Sequence, residues 1–451
     1  MTALFAVKGK IMIHSFQING EYMAYDIESG SLFFTDRLCY DLLNGGDLSG
    51  YSAAEVAEAK KELDSLKSEG CFDACAAEIG PLEKGQEIKS LCLHISHDCN
   101  LRCGYCFADE GSYHGKREMM SFEVGKHAVD FLIRNSGKRK NLEMDFFGGE
   151  PLMNFAVLQQ IVDYAKAEAK KHGKIFKFTT TTNGVLLNRE VSDYLNREMD
   201  NVVLSLDGRK EVNDAVRKTA NGKGSFDLIL DNFRYFRSVR GDKSYFVRGT
   251  YTAKNPDFAK DVTFLADQGF DQISVEPVVL PKEHPLAIPD DMLGQLCAEY
   301  EKLALLYLER RKNPETWFSF FHFNVNPEAG PCLKKCLVGC GAGGEYLAVA
   351  PNGEIYPCHQ FVGEKDFLMG NVFDGTLRSD IRQKFLETSL LTKPKCKNCW
   401  AKYHCSGGCN ANAVHYNGDI NAPYEPACEL MKKRLECALY VYAKERSTNN
   451  D

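Results

Sequence analysis

The sequence lacks the features that mark nucleic-acid-binding, membrane and secreted proteins. It has 55 Lys and Arg against 62 Asp and Glu, a net charge of −7, so the basic surface that binds nucleic acid is missing. No apolar run reaches the roughly 18 residues that a membrane span requires. Residues 1–10 lack the extended apolar core of a secretory signal. We therefore expect a cytoplasmic protein with no nucleic-acid or membrane partner.

Cysteine, in contrast, is abundant, with 18 in 451 residues. In a reducing cytoplasm this density indicates metal binding or catalysis rather than disulfides. The cysteines are also clustered, because three lie within 99–106 and nine lie within 332–428. Thiols that only filled a core would be scattered more evenly along the chain.

The pattern of apolar residues divides the chain into three parts. Residues 12–36 predict three short strands, and two helices follow, the second starting at a capping box of Ser52 and Glu55. From about 89 to 280 strands and helices alternate, which predicts a parallel sheet with right-handed crossovers. The predicted strands are 91–96, 142–147, 175–181, 202–206, 245–252 and 272–279, and the clearest helices are 121–135, 154–171 and 225–239. Residues 289–312 predict one more helix, and beyond Pro331 the chain is rich in Cys and Gly with little periodicity.

The first cysteine cluster follows the first strand of this sheet, as Cys99, Cys103 and Cys106 in a C-x3-C-x2-C spacing. Three thiolates can bind three irons of a cubane and leave its fourth iron open. A zinc site normally shows four ligands or an identifiable open catalytic position, so it fits this cluster less well.

Polar and glycine residues recur where the later strands end, at the edge where parallel sheets carry their chemistry. Gly148-Gly149-Glu150-Pro151 ends the second strand, and Asn183 and Ser205 follow the third and fourth. Arg248 lies on the fifth strand, and its planar guanidinium suits a carboxylate ligand. Glu276, on the sixth strand, is a weaker candidate.

This ordered set resembles the radical S-adenosylmethionine (SAM) superfamily. The resemblance implies that Cys99, Cys103 and Cys106 hold a [4Fe–4S] cluster whose open iron chelates SAM. It also implies a set of cofactor-binding residues: Tyr105, Phe107, Gly148, Gly149, Glu150, Asn183, Ser205 and Arg248. The implied fold is α/β, a partial (β/α)6 barrel.

The second cysteine cluster comprises Cys340, Cys358, Cys396, Cys399, Cys405, Cys409 and Cys428. Its spacings resemble the seven-cysteine SPASM domain, which carries two auxiliary [4Fe–4S] clusters. A zinc ribbon would account for the four cysteines from 396 to 409 but not for the other three.

The SPASM resemblance also implies which cysteines share a cluster. It assigns Cys396, Cys399, Cys405 and Cys428 to a distal cluster, and Cys340, Cys358 and Cys409 to one nearer the barrel. The fourth ligand of the nearer cluster stays open between Cys336, Cys332 and a substrate thiolate. Three [4Fe–4S] clusters and SAM are thus the expected cofactors.

The N-terminal part resembles the winged-helix-like peptide-recognition element of ribosomal-peptide maturases, in which a leader peptide adds as a strand to a free sheet edge. We therefore expect leader recognition by residues 1–80, the barrel at 89–285, a bridging region at 286–331 and the SPASM domain at 332–440. The whole chain is similar to the maturases of "six cysteines in forty-five residues" peptides.

That similarity implies an oxidoreductase that joins a cysteine sulfur to a carbon, the α-carbon by preference, in a Cys-rich precursor peptide. A ferredoxin or flavodoxin would supply electrons. The alternatives are formylglycine formation in a sulfatase and carbon–carbon crosslinking of a peptide. A non-catalytic electron carrier is disfavoured, because it has no use for an open iron. The sequence does not identify the precursor, the acceptor residue, the general base or the oligomeric state.

Overall fold

The structure is a computed structural model, and it describes residues 12–69, 71, 87–327 and 333–449. Cys75 and Cys332 lie outside the described residues. Among the described residues, no helix combines the length and the apolar character needed to cross a membrane.

The N-terminal part is a small antiparallel sheet followed by two helices. Its strands are β1 (Ile13–Ile18), β2 (Glu21–Asp26) and β3 (Leu32–Thr35), in the order β1-β2-β3. The helices are α1 (Arg37–Asn44) and α2 (Ala53–Ser68). The predicted capping box is present, with Ser52 and Glu55 each accepting a hydrogen bond from the other's backbone.

The central part alternates strands and helices as its sequence pattern predicts. Its strands are β4 (Ser90–Ser96), β5 (Leu101–Cys103), β6 (Asn141–Gly148), β7 (Ile175–Thr182), β8 (Asn201–Ser205), β9 (Arg217–Thr219), β10 (Ser244–Tyr251), β11 (Gln272–Pro277) and β12 (Ser319–Phe320). Its helices are α3 (Phe122–Asn135), α4 (Phe155–His172), α5 (Arg189–Glu198), α6 (Lys210–Val216), α7 (Phe226–Arg240), α8 (Phe258–Asp267) and α9 (Leu293–Arg311).

Six of these strands, β4, β6, β7, β8, β10 and β11, pair in parallel in that spatial order, which confirms the predicted α/β fold with its parallel sheet. Side chains alternate between the two faces of each strand. On β10, Tyr245, Val247 and Tyr251 are buried, whereas Phe246 and Arg248 point to the other face and are more exposed. The second face lines the interior of the partial barrel.

The C-terminal part extends the same sheet. Its strands are β13 (Tyr346–Val349), β14 (Glu354–Tyr356) and β15 (Gly370–Asn371), and β13 pairs in parallel with β4. Its helices are α10 (Leu333–Val338), α11 (Ser379–Glu387), α12 (Pro394–Lys397), α13 (Lys402–Cys405), α14 (Asn410–Asn417) and α15 (Glu425–Asn449). With β12 on the opposite edge, the described residues of this sheet form ten strands.

Helix α15 was not predicted, although it has 25 residues. It packs against α9 and also against β1 and β3. Because it is covered on several sides, its buried residues, which include Leu430, Leu435 and Tyr440, do not form the single apolar stripe that reveals a surface helix.

Polar contacts tie the N-terminal sheet to the C-terminal part. Glu28 forms a buried ion pair with Lys402 at 2.5 Å and accepts a hydrogen bond from the Tyr403 hydroxyl at 2.8 Å. Glu21 likewise pairs with Lys444 of α15 at 2.6 Å. The N-terminal sheet is therefore part of the packed structure, and its removal would leave buried polar groups unpaired.

Candidate functional site

A cavity of about 150 Å³ lies at the carboxyl ends of β4, β6, β7 and β8. It brings together residues that lie up to about a hundred positions apart in the sequence. The predicted site residues that line it are Cys99, Cys103, Tyr105, Cys106, Phe107, Gly148, Gly149, Glu150, Asn183 and Ser205. Arg248 is exposed beside this cavity, since it pairs with Ser205 in the register of β8 and β10.

Gly148 is the last residue of β6 and Gly149 follows it, and neither position leaves room for a side chain beside the neighbouring loop. Gly148 has φ +124°, and a Cβ atom there would lie 2.2 Å from the carbonyl oxygen of Ser96. A Cβ atom on Gly149 would lie 2.3 Å from the carbonyl oxygen of Asp98. The glycines therefore let this turn pack directly against the loop that leads into Cys99.

Glu150 is the buried carboxylate of the site. It accepts hydrogen bonds from the backbone N–H groups of Leu152 (3.0 Å) and Asn183 (2.8 Å) and from the hydroxyl of Thr182 (2.8 Å). These donors favour the ionised form, but burial outweighs them and raises the pKa of Glu150 to about 7. A cationic or N–H-rich ligand in the cavity would favour its ionised form.

The three clustered cysteines would have to lose their thiol protons before they could bind a metal. Burial raises the pKa of Cys99 to about 12 and that of Cys103 to about 11, so a metal must displace their protons. The Cys99 sulfur already accepts an N–H group from the Leu101 backbone (3.4 Å) and one from Asn183 (3.6 Å). Such donors stabilise a bound thiolate, and the cavity beside them has room for a ligand on an open iron.

A buried ion pair between Arg217 and Asp207 lies beside the cavity, and it was not predicted from the sequence. Arg217 lies opposite Cys103 in the pairing of β5 with β9, and its Nε atom is 3.0 Å from Asp207 Oδ2. Tyr105 donates its hydroxyl to Asp207 at 2.7 Å. The Tyr105 ring thus lines the cavity while its hydroxyl is held by Asp207. No sequence signal connects Arg217 to Cys103, because they meet only through the pairing of two three-residue strands.

A second polar cluster, also not predicted as a group, lies at the barrel mouth. Glu276 is 3.3 Å from His322 Nε2 and 3.4 Å from the guanidinium of Arg434, which extends from α15. The guanidinium charges of Arg434 and Arg248, and His322 when it is protonated, outweigh burial and lower the pKa of Glu276. Burial lowers the pKa of His322 itself to about 3, so the cations beside the weaker candidate Glu276 at neutral pH are the two arginines.

The later cysteines fall into two groups in space. The thiols of Cys340 and Cys409 help to raise the pKa of Cys358, although burial contributes most. In the same way, burial and the neighbouring thiols of Cys405, Cys396 and Cys399 raise the pKa of Cys428 to about 12. Each of these interactions joins cysteines that the SPASM resemblance assigns to one cluster, and the two ligand sets stay a prediction.

Within the part of the chain that the structure describes, no three His, Cys, Asp or Glu side chains converge on one metal ion. A [4Fe–4S] cluster spreads its thiolates over separate irons, so they need not touch. The described cysteines include Cys336 on α10, and the fourth ligand of the nearer cluster stays a prediction.

Aromatic rings join the first cysteine site to the nearer auxiliary site. His359 directly follows Cys358, and its ring lies 5.8 Å from the ring of Phe107, which follows Cys106. It also lies 5.2 Å from the ring of Phe147, which lines the cavity. The residue after Cys358 therefore packs directly against two aromatic rings of the cavity lining.

Family models match both cysteine regions. Residues 93–254 match the radical SAM superfamily model, and residues 340–400 match that of the iron–sulfur cluster-binding SPASM domain. The curated relatives include the radical SAM cyclopropyl synthase TigE of Paramaledivibacter caminithermalis, 25% identical over 78% of this chain and 74% of TigE. They also include a cysteine-type anaerobic sulfatase-maturating enzyme of Clostridium novyi, 26% identical over 72% of this chain and 89% of that protein.

Solved structures share the fold. The chain matches anSMEcpe with bound AdoMet with a TM-score of 0.66, at 20% identity over 79% of this chain and 96% of that chain. It matches Streptococcus suis SuiB bound to its precursor peptide SuiA with a TM-score of 0.53, at 16% identity over 93% of this chain and 99% of that chain.

The matched models and the site agree on the cofactors. The cavity presents three cysteines to an open space beside a buried carboxylate, and two further cysteine groups lie in the SPASM region. S-adenosylmethionine and [4Fe–4S] clusters are the cofactors that the two matched domains indicate. The chain combines a radical SAM domain, matched over 93–254, with a C-terminal SPASM domain, matched over 340–400.

Proposed function

We propose that this enzyme installs a thioether crosslink, from a cysteine sulfur to a carbon, the α-carbon by preference, in a Cys-rich precursor peptide. The observation that carries the proposal is that His359, which follows Cys358, packs against Phe107 and Phe147 in the lining of the cavity that Cys99, Cys103 and Cys106 share. A precursor residue placed there would lie between both cofactor sites.

The reaction forms one C–S bond and breaks one C–H and one S–H bond. One hydrogen atom, one proton and one electron therefore leave the peptide. The bound cofactors supply hydrogen-atom abstraction and electron acceptance, and the protein supplies positions and a shielded space. Within this proposal Cys99, Cys103 and Cys106 hold the reactive cluster, Glu150 accepts an N–H group of SAM, and Arg248 pairs with its carboxylate.

We propose the same auxiliary-cluster ligands and SAM contacts that the sequence predicts. Cys396, Cys399, Cys405 and Cys428 hold the distal cluster, and Cys340, Cys358 and Cys409 hold the nearer one. The cavity lining formed by Phe107, Gly148, Gly149, Asn183 and Ser205 shapes the SAM site. A ferredoxin or flavodoxin is the proposed electron donor.

A groove on the N-terminal sheet supports a peptide substrate. Among the described residues β3 pairs with no strand but β2. A groove of about 510 Å³ lies between β3 and the last turns of α15, with Phe34 on one side and Tyr442 and Ala443 on the other. An extended leader can add to such an edge and place alternate side chains in the groove. The fold shared with SuiB, which was solved with its precursor peptide, is consistent with this use.

The domain roles that we propose are leader recognition at 1–80, catalysis at 89–285, bridging at 286–331 and auxiliary clusters at 332–440. The sulfatase-maturating relative favours formylglycine formation as the second candidate, and the cyclopropyl synthase favours carbon–carbon bond formation as the third.

The recognition role is tested by changing the groove without removing the sheet. Phe34 is 40% exposed on β3, so Phe34→Asp should remove apolar contact with a bound leader. We expect the Kd for the precursor to rise about tenfold to a hundredfold, since burial of such a side chain contributes about 1.5–3 kcal/mol. Leu228→Asp, on the exposed face of α7 (52% exposed), is the control. Equal precursor affinity for both variants and the unchanged protein would remove the recognition role.

A further inference from the structure

Lys393 is an unusual lysine because it is buried. It is 2% exposed and lies just before α12, which carries Cys396. Lysines are rarely buried unless their charge is compensated. Within the described parts of the chain, no carboxylate forms an ion pair with Lys393, so its compensation must come from another source.

The hydrogen bonds of Lys393 locate its ammonium group. Nζ donates to the carbonyl oxygen of Gly407 at 2.8 Å and to Asn410 Oδ1 at 2.8 Å. Gly407 lies between Cys405 and Cys409 in the sequence, and Asn410 directly follows Cys409. Under the proposed ligation Cys405 serves the distal cluster and Cys409 the nearer one. The ammonium therefore sits against the short turn that joins a ligand of each cluster.

The electrostatic surroundings of Lys393 agree with this location. Burial lowers the pKa of Lys393, whereas four nearby thiols oppose that effect. Those thiols are Cys396 and Cys405 from the distal set and Cys340 and Cys409 from the nearer set. One buried charge thus interacts with members of both sets.

A [4Fe–4S] cluster with four thiolate ligands is an anion that gains one more negative charge on reduction. Net charge and hydrogen bonds around a cluster set its reduction potential. Because the interaction between charges is stronger in the protein interior than in water, a buried ammonium stabilises the reduced state more than a surface lysine does.

We propose that Lys393 tunes both auxiliary clusters, raising the reduction potential of each by stabilising its reduced form through one shared buried charge. The step that it favours is a one-electron reduction of either cluster, with no proton transferred. The proposal rests on the proposed ligation of the two clusters, but not on the thioether product.

The test is a redox titration of the fully loaded enzyme followed by electron paramagnetic resonance, without precursor. Lys393→Met removes the charge at similar length, Lys393→Gln also keeps an N–H donor for Gly407, and Lys393→Arg keeps the charge. Lys397→Met is the matched control, because Lys397 is exposed and lies directly beside Cys396 on its other side. Iron content is measured for every variant.

We expect Lys393→Met and Lys393→Gln to shift both auxiliary potentials to more negative values, while Lys393→Arg and Lys397→Met stay close to the unchanged protein. Loss of the auxiliary clusters in the two neutral variants, with normal loading of Lys393→Arg, would also support a requirement for the charge. Unchanged potentials in a loaded neutral variant, a shift in only one cluster, or an equal shift in Lys397→Met would overturn the proposal. Loss of clusters in all three Lys393 variants would overturn it as well, since the residue would then serve packing alone.

Discussion

Replacement of Glu150 by Gln tests the SAM site most sensitively. Burial raises the pKa of this carboxyl from 4.5 to about 7, and at 1.36 kcal/mol per unit the ionised form is disfavoured by about 3 kcal/mol. Because the folded-state pKa lies above the unfolded one, the group destabilises the ligand-free protein as the pH rises from about 4.5 to 7. A ligand that donates N–H groups to Glu150 restores part of this free energy.

The affinity for SAM should therefore depend on pH through Glu150. Ionised Glu150 is the better acceptor, so binding weakens as the pH falls through 7. If SAM binds only when Glu150 is ionised, a pKa of about 7 makes the Kd for SAM rise about eightfold between pH 7.5 and pH 6. Glu150→Gln should lose this part of the pH dependence. Loss of a hydrogen bond to a charged group should also raise the Kd at pH 7.5 about tenfold to a hundredfold.

The assay is anaerobic calorimetry of SAM binding at several pH values. Glu110→Gln is the control, since Glu110 lines the same cavity but is half exposed and paired with Arg102. If Glu150→Gln keeps the affinity and the pH profile of the unchanged protein, Glu150 does not contact the ligand, and its role is only to hold Thr182 and Asn183.

Three further perturbations have defined outcomes. Cys99→Ala should abolish SAM cleavage and lower the iron content by about one third, because only one of three clusters loses its site; retained cleavage would refute the cluster assignment. Glu28→Ala should lower the free energy of unfolding by about 3–5 kcal/mol, because it leaves Lys402 charged and buried; in urea denaturation, a change below about 1 kcal/mol would show that the pair is not buried in solution. Gly148→Ala should cost about 2 kcal/mol or more and disturb the SAM site, since its Cβ atom would clash with Ser96. Gly173→Ala is its control, because a Cβ atom there meets nothing within 4 Å; equal losses of stability and SAM affinity in both would contradict the packing argument.

The sequence predicted what depends on local pattern. The alternating strands and helices, the capping box at Ser52 and the ordered cysteines were all visible, because each signal lies within a few neighbouring residues. The glycines after β6 were recognised, but their use against the backbone at Ser96 and Asp98 appears only once the two loops are packed together.

What the sequence missed depends on contacts between distant residues. Arg217 reaches Cys103 only through the pairing of β5 with β9, and Arg434 reaches Glu276 only because α15 packs on the barrel. Lys393 was not singled out from the sequence, because its burial follows from the folding of the cysteine-rich region around it. Helix α15 was not predicted, because a helix that is buried on more than one side shows no single apolar stripe in its sequence.

The central claim is tested most directly by mass spectrometry of small Cys-rich precursors encoded beside this gene. Each precursor is incubated anaerobically with reconstituted enzyme, SAM and a low-potential reductant, and is then alkylated and fragmented. If the enzyme forms a thioether, we expect the precursor to lose two hydrogen masses and one alkylatable thiol. The crosslink should then lie between a cysteine and a carbon of the acceptor residue. A product that keeps every thiol alkylatable and carries a new carbon–carbon bond, or a cysteine converted to formylglycine, would contradict it.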